Sequence, residues 1–589
     1  MKNFLRCISF VLLFCIALLS ISCKQSTTTV TGNIGTGESG SDATTIVPTE
    51  ETDVFTDRDA DTSYSEDDAL SLVLVDDATF SEDERIQIDG NVVTLTGAGT
   101  YLISGSLTRG QIRINASDSD KLHLILDGVS INSAGSAALY ILNADKVFIT
   151  LASDTINTLS STGTYLTDEN TNVDAALYSK KDVSINGNGT LHISSEAGHG
   201  VAVKADLVMM DGNYTVSGAK HALSAKNSIR IKSGTYTLNA GTDGLHAENA
   251  DKTEKGFIYI FGGTFMITAA SDGIDAASTL QIIDGTFTVQ AEGKGVKSTG
   301  DLLIAGGTLQ ITSTDDSLHT NASCAITGGS LTLSTSDDGV HADANLTVHD
   351  GTIDILKSYE GLEGKSVDIT GGTIYIVASD DGVNTAGGSD QSGFQPGFTG
   401  GKNDTFQSDA TCYIQISGVN LTVNAGGDGL DSNGNITVTG GVTYVSGSTN
   451  SADSALDYDG TGIITGGVII LTGNSGMAQN FGTASTQGSI LLNFSSTSTA
   501  PVTLADSDGN TILTYQPPKT YNSVVVSAPS LTKGNTYSLS ACGQTQNITL
   551  SSLIYGSDGM GGGGMGGGGM GGGGMGGGSQ PGGRPGGRP

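Results

Sequence analysis

The chain has 589 residues, 37% of them hydrophobic and 5% aromatic, with no tryptophan. That is lean for a globular core but ample for a solenoid, whose core is one ladder of side chains wide. A formal charge of −34 and an isoelectric point near 4.3 exclude nucleic acid and anionic membrane surfaces as partners.

Lys2 and Arg6 followed by an apolar run over residues 8–21 predict a secretory signal and not a spanning helix. Ser22-Cys23 resembles a bacterial lipoprotein cleavage site, although Ser20 stands where Leu is usual; plain secretion is the alternative. Residues 1–22 are therefore expected to leave, and Cys23 to carry lipid. Lys24 supplies no inner-membrane retention signal, so the expected location is the bacterial cell surface, at the outer membrane where the cell has one. Only the lipid would touch the membrane. Residues 23–68, rich in Thr, Ser and acid, read as a disordered spacer.

Residues 70–166 are strand-rich without a fixed period. After them a phrase x-Gly-Leu/Ile/Val takes over. Asp243-Gly244-Leu245, Asp272-Gly273-Ile274, Lys294-Gly295-Val296, Asp316-Ser317-Leu318, Asp338-Gly339-Val340, Glu360-Gly361-Leu362 and Asp381-Gly382-Val383 follow one another at steps of 29, 22, 22, 22, 22 and 21 residues. His199-Gly200-Val201 and His221-Ala222-Leu223 precede them in phase, and Asp428-Gly429-Leu430 resumes after an insertion at 387–410. A second phrase, Gly-Thr or Gly-Ser, keeps step at Gly234, Gly263, Gly285, Gly307, Gly329, Gly351 and Gly372. Between the phrases lie three short segments of alternating apolar and polar residues, such as Leu331/Leu333, Val340/Ala342 and Leu346/Val348.

The prediction is all-β: a right-handed parallel β-helix with three strands in each coil of about 22 residues. It spans 69–475, with irregular first coils to about 166. A terminal β cap over 476–555 would shield the open end, and the Gly/Met-rich tail, 556–589, can bury nothing. Cys324 aligns with Leu302 and Leu346 and should point into the core. Cys412, about three coils away, is out of disulfide range. The chain is expected to be a monomer.

Stacking turns each repeat position into a column. The residue before the repeat glycine gives Asp243, Asp272, Lys294, Asp316, Asp338, Glu360, Asp381 and Asp428, thickened by Asp315, Asp337 and Asp380. Three residues on, read as facing outward, come His246, Asp275, Lys297, His319, His341, Glu363, Asn384 and Asp431, with His319 and His341 as stacked surface histidines. Two charges one coil apart, at ~4.8 Å, repel by roughly 3.5 kcal/mol at an effective dielectric of 20. Something must neutralise the ladder, and calcium, which takes six to eight oxygens, fits. The candidate metal ligands are Asp243, Asp272, Asp275, Asp315, Asp316, Asp337, Asp338, Asp380 and Asp381, with the Asp315/Asp316 and Asp337/Asp338 pairs foremost. A solvated acidic turn is the competing reading. Lys294 reads as a salt-bridging substitute for metal or, less simply, as a general base. Phe394, Phe398 and Phe406 of the insertion, with Asp428 and Asp431, are the candidate ligand-binding residues.

The phrases Gly97-Ala98-Gly99-Thr100-Tyr101, Ser104-Gly105-Ser106-Leu107, Leu126-Asp127-Gly128-Val129 and Asn143-Ala144-Asp145-Lys146-Val147 come early in the chain. Gly427-Asp428-Gly429-Leu430-Asp431-Ser432-Asn433-Gly434 and the glycine-rich tail come late. Together they resemble the bacterial carbohydrate-binding domain-containing β-helix lipoproteins over roughly residues 70–555. The resemblance implies a right-handed parallel β-helix that binds calcium and acidic polysaccharide. It also implies a fold similar to that of family nine polysaccharide lyases, which use an aspartate-held calcium and a lysine base. By that resemblance the turn aspartates are metal ligands.

The expected function is calcium-bridged binding of acidic, uronate-type polysaccharide at the cell surface. The alternatives are a calcium-dependent lyase acting by β-elimination and an adhesin or structural solenoid.

Overall fold

The computed structural model describes residues 48–166, 172–251, 254–385 and 409–556. The signal segment, Cys23, the first part of the spacer, Phe394, Phe398, Phe406 and the tail from 557 on lie outside the described residues.

Short strands wind into one long, mostly parallel sheet system in which most strands pair with the strand three further along the chain, or two further where one strand runs across a turn. This is a parallel β-helix of three strands per coil. The repeat phrase is in strict register: Leu245, Ile274, Val296, Leu318, Val340, Leu362, Val383 and Leu430 are successive partners. Their side chains are buried, as are those of the other two inward columns, because alternate strand residues point into the tube. Inside, Tyr214, Tyr236, Phe265 and Phe287 stack face to face at 4.9, 4.7 and 4.6 Å between centroids, the spacing of the coils themselves. Cys324, Cys412 and Cys542 are free and buried.

The two glycine columns exist for different reasons. The glycine of the Gly-Thr phrase is left-handed, for example φ +128° at Gly285, a conformation that β-carbon sterics disfavour in other residues. The glycine of the x-Gly-Leu phrase is not. A Cβ there would strike a branched methyl of the neighbouring third strand: Val216 at Gly200, Val289 at Gly273, Ile311 at Gly295, Ile376 at Gly361, Val423 at Gly382 and Val445 at Gly429. From Gly200 on, three coils break the phrase with Ala222, Ser317 and Ala455. In those coils the third-strand residue that aligns with Val216, Ile311 or Val445 is Leu238, Leu333 or Leu471. Leucine branches one carbon further out and leaves room for a Cβ, so these coils keep one filled volume in two alternative ways; the coil before Gly200, with Ala176 and Ile193 at the aligned positions, departs from the pairing.

The segment read as spacer is ordered from its later part on. Glu51–Val54 and Asp57–Ala60 form two short helices, the second with a Thr56/Asp59 capping box. Val54 and Phe55 bury themselves against Val208, Met210 and Tyr259, and buried Asp59 pairs with Lys146 at 2.5 Å. Two apolar anchors and one buried ion pair dock a stretch whose bulk composition reads as disordered.

Beneath it runs a polar chain. His123 Nε2 meets Thr150 Oγ1 at 2.7 Å, the Thr150 hydroxyl donates to Asn186 Oδ1 at 2.6 Å, and Asn186 Nδ2 donates to the Asp59 carbonyl at 2.9 Å. Burial, reinforced by the charge of Arg58, lowers His123 to about 4. The folded state therefore holds a neutral imidazole that the unfolded chain protonates near 6.5. Its stabilisation is complete above that value and is lost as pH falls towards 4, at about 1.4 kcal/mol per unit. Between pH 7 and 4.5, His123→Gln should lose less melting temperature than the wild type; parallel curves would refute the assignment.

At the far end parallel stacking stops. Val468–Gly473 pairs antiparallel with Tyr521–Ser527, which pairs antiparallel with Ser489–Ser498. A separate antiparallel sheet of Val502–Ala505, Thr511–Tyr515, Thr536–Ala541 and Gln544–Thr549 packs its own core beside them.

Candidate functional site

Each coil turns from its third strand into its first through the residue before the repeat glycine, and there the aspartate column is built. One carboxylate oxygen accepts the backbone N–H of the same position in the next coil. Asp272 N donates to Asp243 at 3.0 Å, Lys294 N to Asp272 at 2.8 Å, Asp338 N to Asp316 at 3.0 Å, Glu360 N to Asp338 at 3.1 Å and Asp428 N to Asp381 at 2.6 Å. Ser454 N donates to Asp428 in the same way. Aspartate recurs here because its short acceptor reaches the turn amide one coil along.

This use of one oxygen draws the column inward: Asp316 and Asp338 are fully buried. The middle of the column three residues on is buried too, contrary to the outward-facing expectation, while His246, Asp275, Lys297 and Asp431 stay half-buried. His319 is 3% exposed, His341 0%, Glu363 2% and Asn384 4%. The aspartates fold over it through i,i+3 contacts, Asp316 to His319 at 2.7 Å and Asp338 to His341 at 3.4 Å. His319 and His341 do stack, at 4.9 Å, but inside the turn.

In the first half of the ladder protein cations neutralise the acids. Asp243 sits 3.0 Å from His221 and 3.3 Å from His246, which is also 3.0 Å from Asp275. Burial opposes ionisation at both, yet Asp243 is held far below the usual carboxylate range by the two histidines, and His246 is raised to about 9 by Asp243 and Asp275. Lys297 bridges Asp272 at 3.1 Å and Asp275 at 3.4 Å.

Lys294 Nζ lies 2.7 Å from both Asp315 and Asp316. Burial disfavours its charge, but the two carboxylates raise it well above the ordinary lysine value. Asp316, despite burial, is lowered to about 2 by His319 and Lys294. The pair read from sequence as the foremost metal ligands thus holds an ammonium, and Lys294 is fixed in the state that cannot take up a proton.

From Asp338 on the cations run short. His341 serves Asp338, Asp343 at 3.1 Å and Glu363 at 2.5 Å, and is raised to about 12 by Asp338 and Glu363 against the effect of burial. Glu360, one coil further, pairs with no cation among the described residues. Burial and the charges of Glu363, Asp338 and Asp381 push it well above the usual carboxylate range. Burial and Asp381 push Asp428 up to about 8.

Asp381, Asp428 and Asp431 offer carboxylate oxygens that all lie within 4.8 Å of one another. Beside them Asn384 donates its amide to Glu360 Oε2 at 2.7 Å. Its buried Oδ1 has no hydrogen-bond partner among the described residues. Asn384 is in register with Asp431, and Glu360 lies one coil earlier, so that oxygen faces the Asp428 and Asp431 coil. The three carboxylates form an all-oxygen donor set. It suits a hard cation such as calcium better than zinc. The other clusters of metal-ligand type contain histidine or enclose Lys294: His221/Asp243/His246, Asp338/His341/Glu363 and Asp315/Asp316/Asp337. Asp337 and Asp380 flank the columns half-buried. Asn384 stood in the second column of the sequence pattern, but only its unpartnered oxygen distinguishes it from a polar filler.

A family described as carbohydrate-binding domain-containing protein matches residues 89–339. A carbohydrate-binding domain-containing protein of Acetivibrio thermocellus is 33% identical over 135 residues, 23% of this chain and 47% of its own length. The chain thus spans about half of that relative. A solved structure of a polysaccharide lyase-like protein from C. thermocellum, a gadolinium derivative, aligns at 32% identity over 40% of this chain and 97% of its own, with a TM-score of 0.40. The family match ends at residue 339, so Asp381, Asn384, Asp428 and Asp431 belong to coils beyond it.

Proposed function

We propose that this protein binds acidic, uronate-type polysaccharide at the cell surface, where Cys23 lipid anchors it, and that calcium held by Asp381, Asp428, Asp431 and the Asn384 carbonyl bridges protein and glycan. The carrying observation is the cluster of three carboxylates beside a buried Asn384 carbonyl that has no hydrogen-bond partner among the described residues. The carbohydrate class rests on the family matched over 89–339 and on the similar thermophile protein.

Electrostatics favours a bridging ion. A chain of charge −34 repels a polyuronate unless cations sit between the two sets of carboxylates. β-Elimination through Lys294 draws no support from the geometry, since two carboxylates hold that ammonium charged.

Pectate, alginate and a neutral glucan, each titrated with calcium and with excess chelator, test the reading. Pectate or alginate should bind at least about tenfold more tightly with calcium, a difference of ~1.4 kcal/mol. Equal affinity in chelator, or a preference for the neutral glucan, would overturn it.

A further inference from the structure

The third-strand face carries a group of side chains that the calcium reading leaves unused. Tyr375, on Thr373–Ala378, points outward and is 39% exposed. Thr422 and then Tyr444 continue its column on the next two coils. Tyr515 reaches over from the C-terminal antiparallel sheet and stacks on Tyr444, with centroids 5.0 Å apart and planes 13° from parallel. Burial first, then the neighbouring phenols of Tyr375 and Tyr444, push Tyr515 up to about 12, so the three phenols share one neighbourhood.

Four residues past Tyr515, Lys519 extends its ammonium to the carbonyl of Ala425, the last residue of the strand that carries Thr422. Its pKa is lowered to about 8 by burial, with no carboxylate acting on it. Lys519 is half-buried and makes no ion pair among the described residues. One bond to a carbonyl leaves it two N–H donors.

The neighbourhood sets what these groups can take. A tyrosine ring presents an apolar face with a polar tip, suited to the C–H face of a pyranose. An ammonium without a counter-ion suits a carboxylate. Thr422 and Ala425 are three residues apart on one strand, roughly 10 Å, so tyrosines and lysine span a short stretch of polymer and not one ring. Asp428 follows Ala425 across Gly426-Gly427, two residues without side chains. A glycan crossing that turn would meet the lysine on one side and the acidic cluster on the other.

We propose that Tyr375, Tyr444, Tyr515 and Lys519 form a second, cation-independent subsite for acidic glycan, with a sugar ring on Tyr375 and a uronate carboxylate on Lys519. The proposal rests on the acidic-glycan reading above and extends it. It makes the C-terminal antiparallel segment a contributor to binding, not merely the end of the solenoid.

The test is calorimetric titration of the full chain with a short oligogalacturonide in excess chelator, for wild type, Tyr375→Ala, Lys519→Gln and Lys519→Arg. The wild type should retain weak binding. Tyr375→Ala and Lys519→Gln should each weaken it roughly tenfold, and Lys519→Arg should preserve it. Tyr375 is exposed enough for its loss to leave the melting temperature in place, so that variant stays informative if Lys519→Gln loosens the C-terminal sheet. Absence of wild-type binding in chelator, or variants that bind like wild type, would overturn the subsite. Repeating the series with calcium separates the two ideas. A missing calcium increment sinks the bridging reading while chelator-resistant, Tyr375-dependent binding still upholds this one. A calcium increment without chelator-resistant binding does the reverse.

Discussion

Calcium added to chelator-stripped protein should raise its melting temperature, and the double substitution Asp428→Asn, Asp431→Asn should erase that rise. The direction follows from the ladder. Burial and the charge of Asp381 raise Asp428 to about 8, and a divalent ion among these carboxylates offsets that repulsion. A divalent ion that binds only the folded chain adds about 2.7 kcal/mol at a hundredfold excess over its Kd.

The same argument makes a less obvious prediction. In chelator the double variant should melt no lower than the wild type. Asparagine still offers an oxygen to the Ser454 amide that Asp428 serves, while the cost of a buried acid raised to about 8 is gone. Two controls sharpen the result. Asp251→Asn, at an exposed loop position, should change nothing. Asp243→Asn, in a coil where His221 and His246 already contact that carboxylate, should leave the calcium response intact. A melt indifferent to calcium would sink the metal site, and a response that survives the double variant would move it elsewhere.

Gly273→Ala should cost about 1–3 kcal/mol in a denaturant melt, and adding Val289→Leu should recover part of that loss. A Cβ at 273 would meet a methyl of Val289 and would come within 2.5 Å of the Gly295 carbonyl oxygen of the next coil. Leucine removes the methyl at the branch point and returns its volume one carbon further out, the combination already present at Ser317 with Leu333 and at Ala222 with Leu238. Those coils also show that the backbone can accommodate a Cβ beside the next coil's carbonyl. A double-mutant cycle measures the pairing directly, and the two residues touch, so coupling is expected. Strict additivity would mean that the alternation of Gly with branched residues and Ala or Ser with Leu has another origin.

The period was legible in the sequence because a solenoid makes distance along the chain and distance in space nearly equivalent. Residues one coil apart in the phrase, such as Asp316 and Asp338, are stacked neighbours in the fold, so a list of repeats is already a list of columns. The parallel β-helix, the inward apolar positions, buried Cys324 and the membership of both polar columns all follow from that equivalence. The salt-bridging reading of Lys294 followed as well, since a lone cation in an acidic column has few other partners.

Side-chain direction was not legible, because it is decided across the turn and not along it. Spacing alone placed His319, His341 and Glu363 outside, whereas the aspartates' bonds to the next coil's amides draw the middle of both columns under cover. Of the two foremost metal pairs, Asp315/Asp316 is therefore the one Lys294 already serves. The all-oxygen cluster at Asp381, Asp428 and Asp431 emerged only when each acid was matched to the cation within reach. Segments without a period lay further beyond sequence reasoning. Val54 and Phe55 dock on strands about 150 to 200 residues away, and Tyr515 and Lys519 return to Tyr444 and Ala425 from the antiparallel sheet. The sequence by itself determined the repeating scaffold, since stacking identical coils is a nearest-neighbour problem. Charge balance and the contacts of the two ends were decided by the tertiary structure, because they depend on which unrelated groups are brought within a few ångströms.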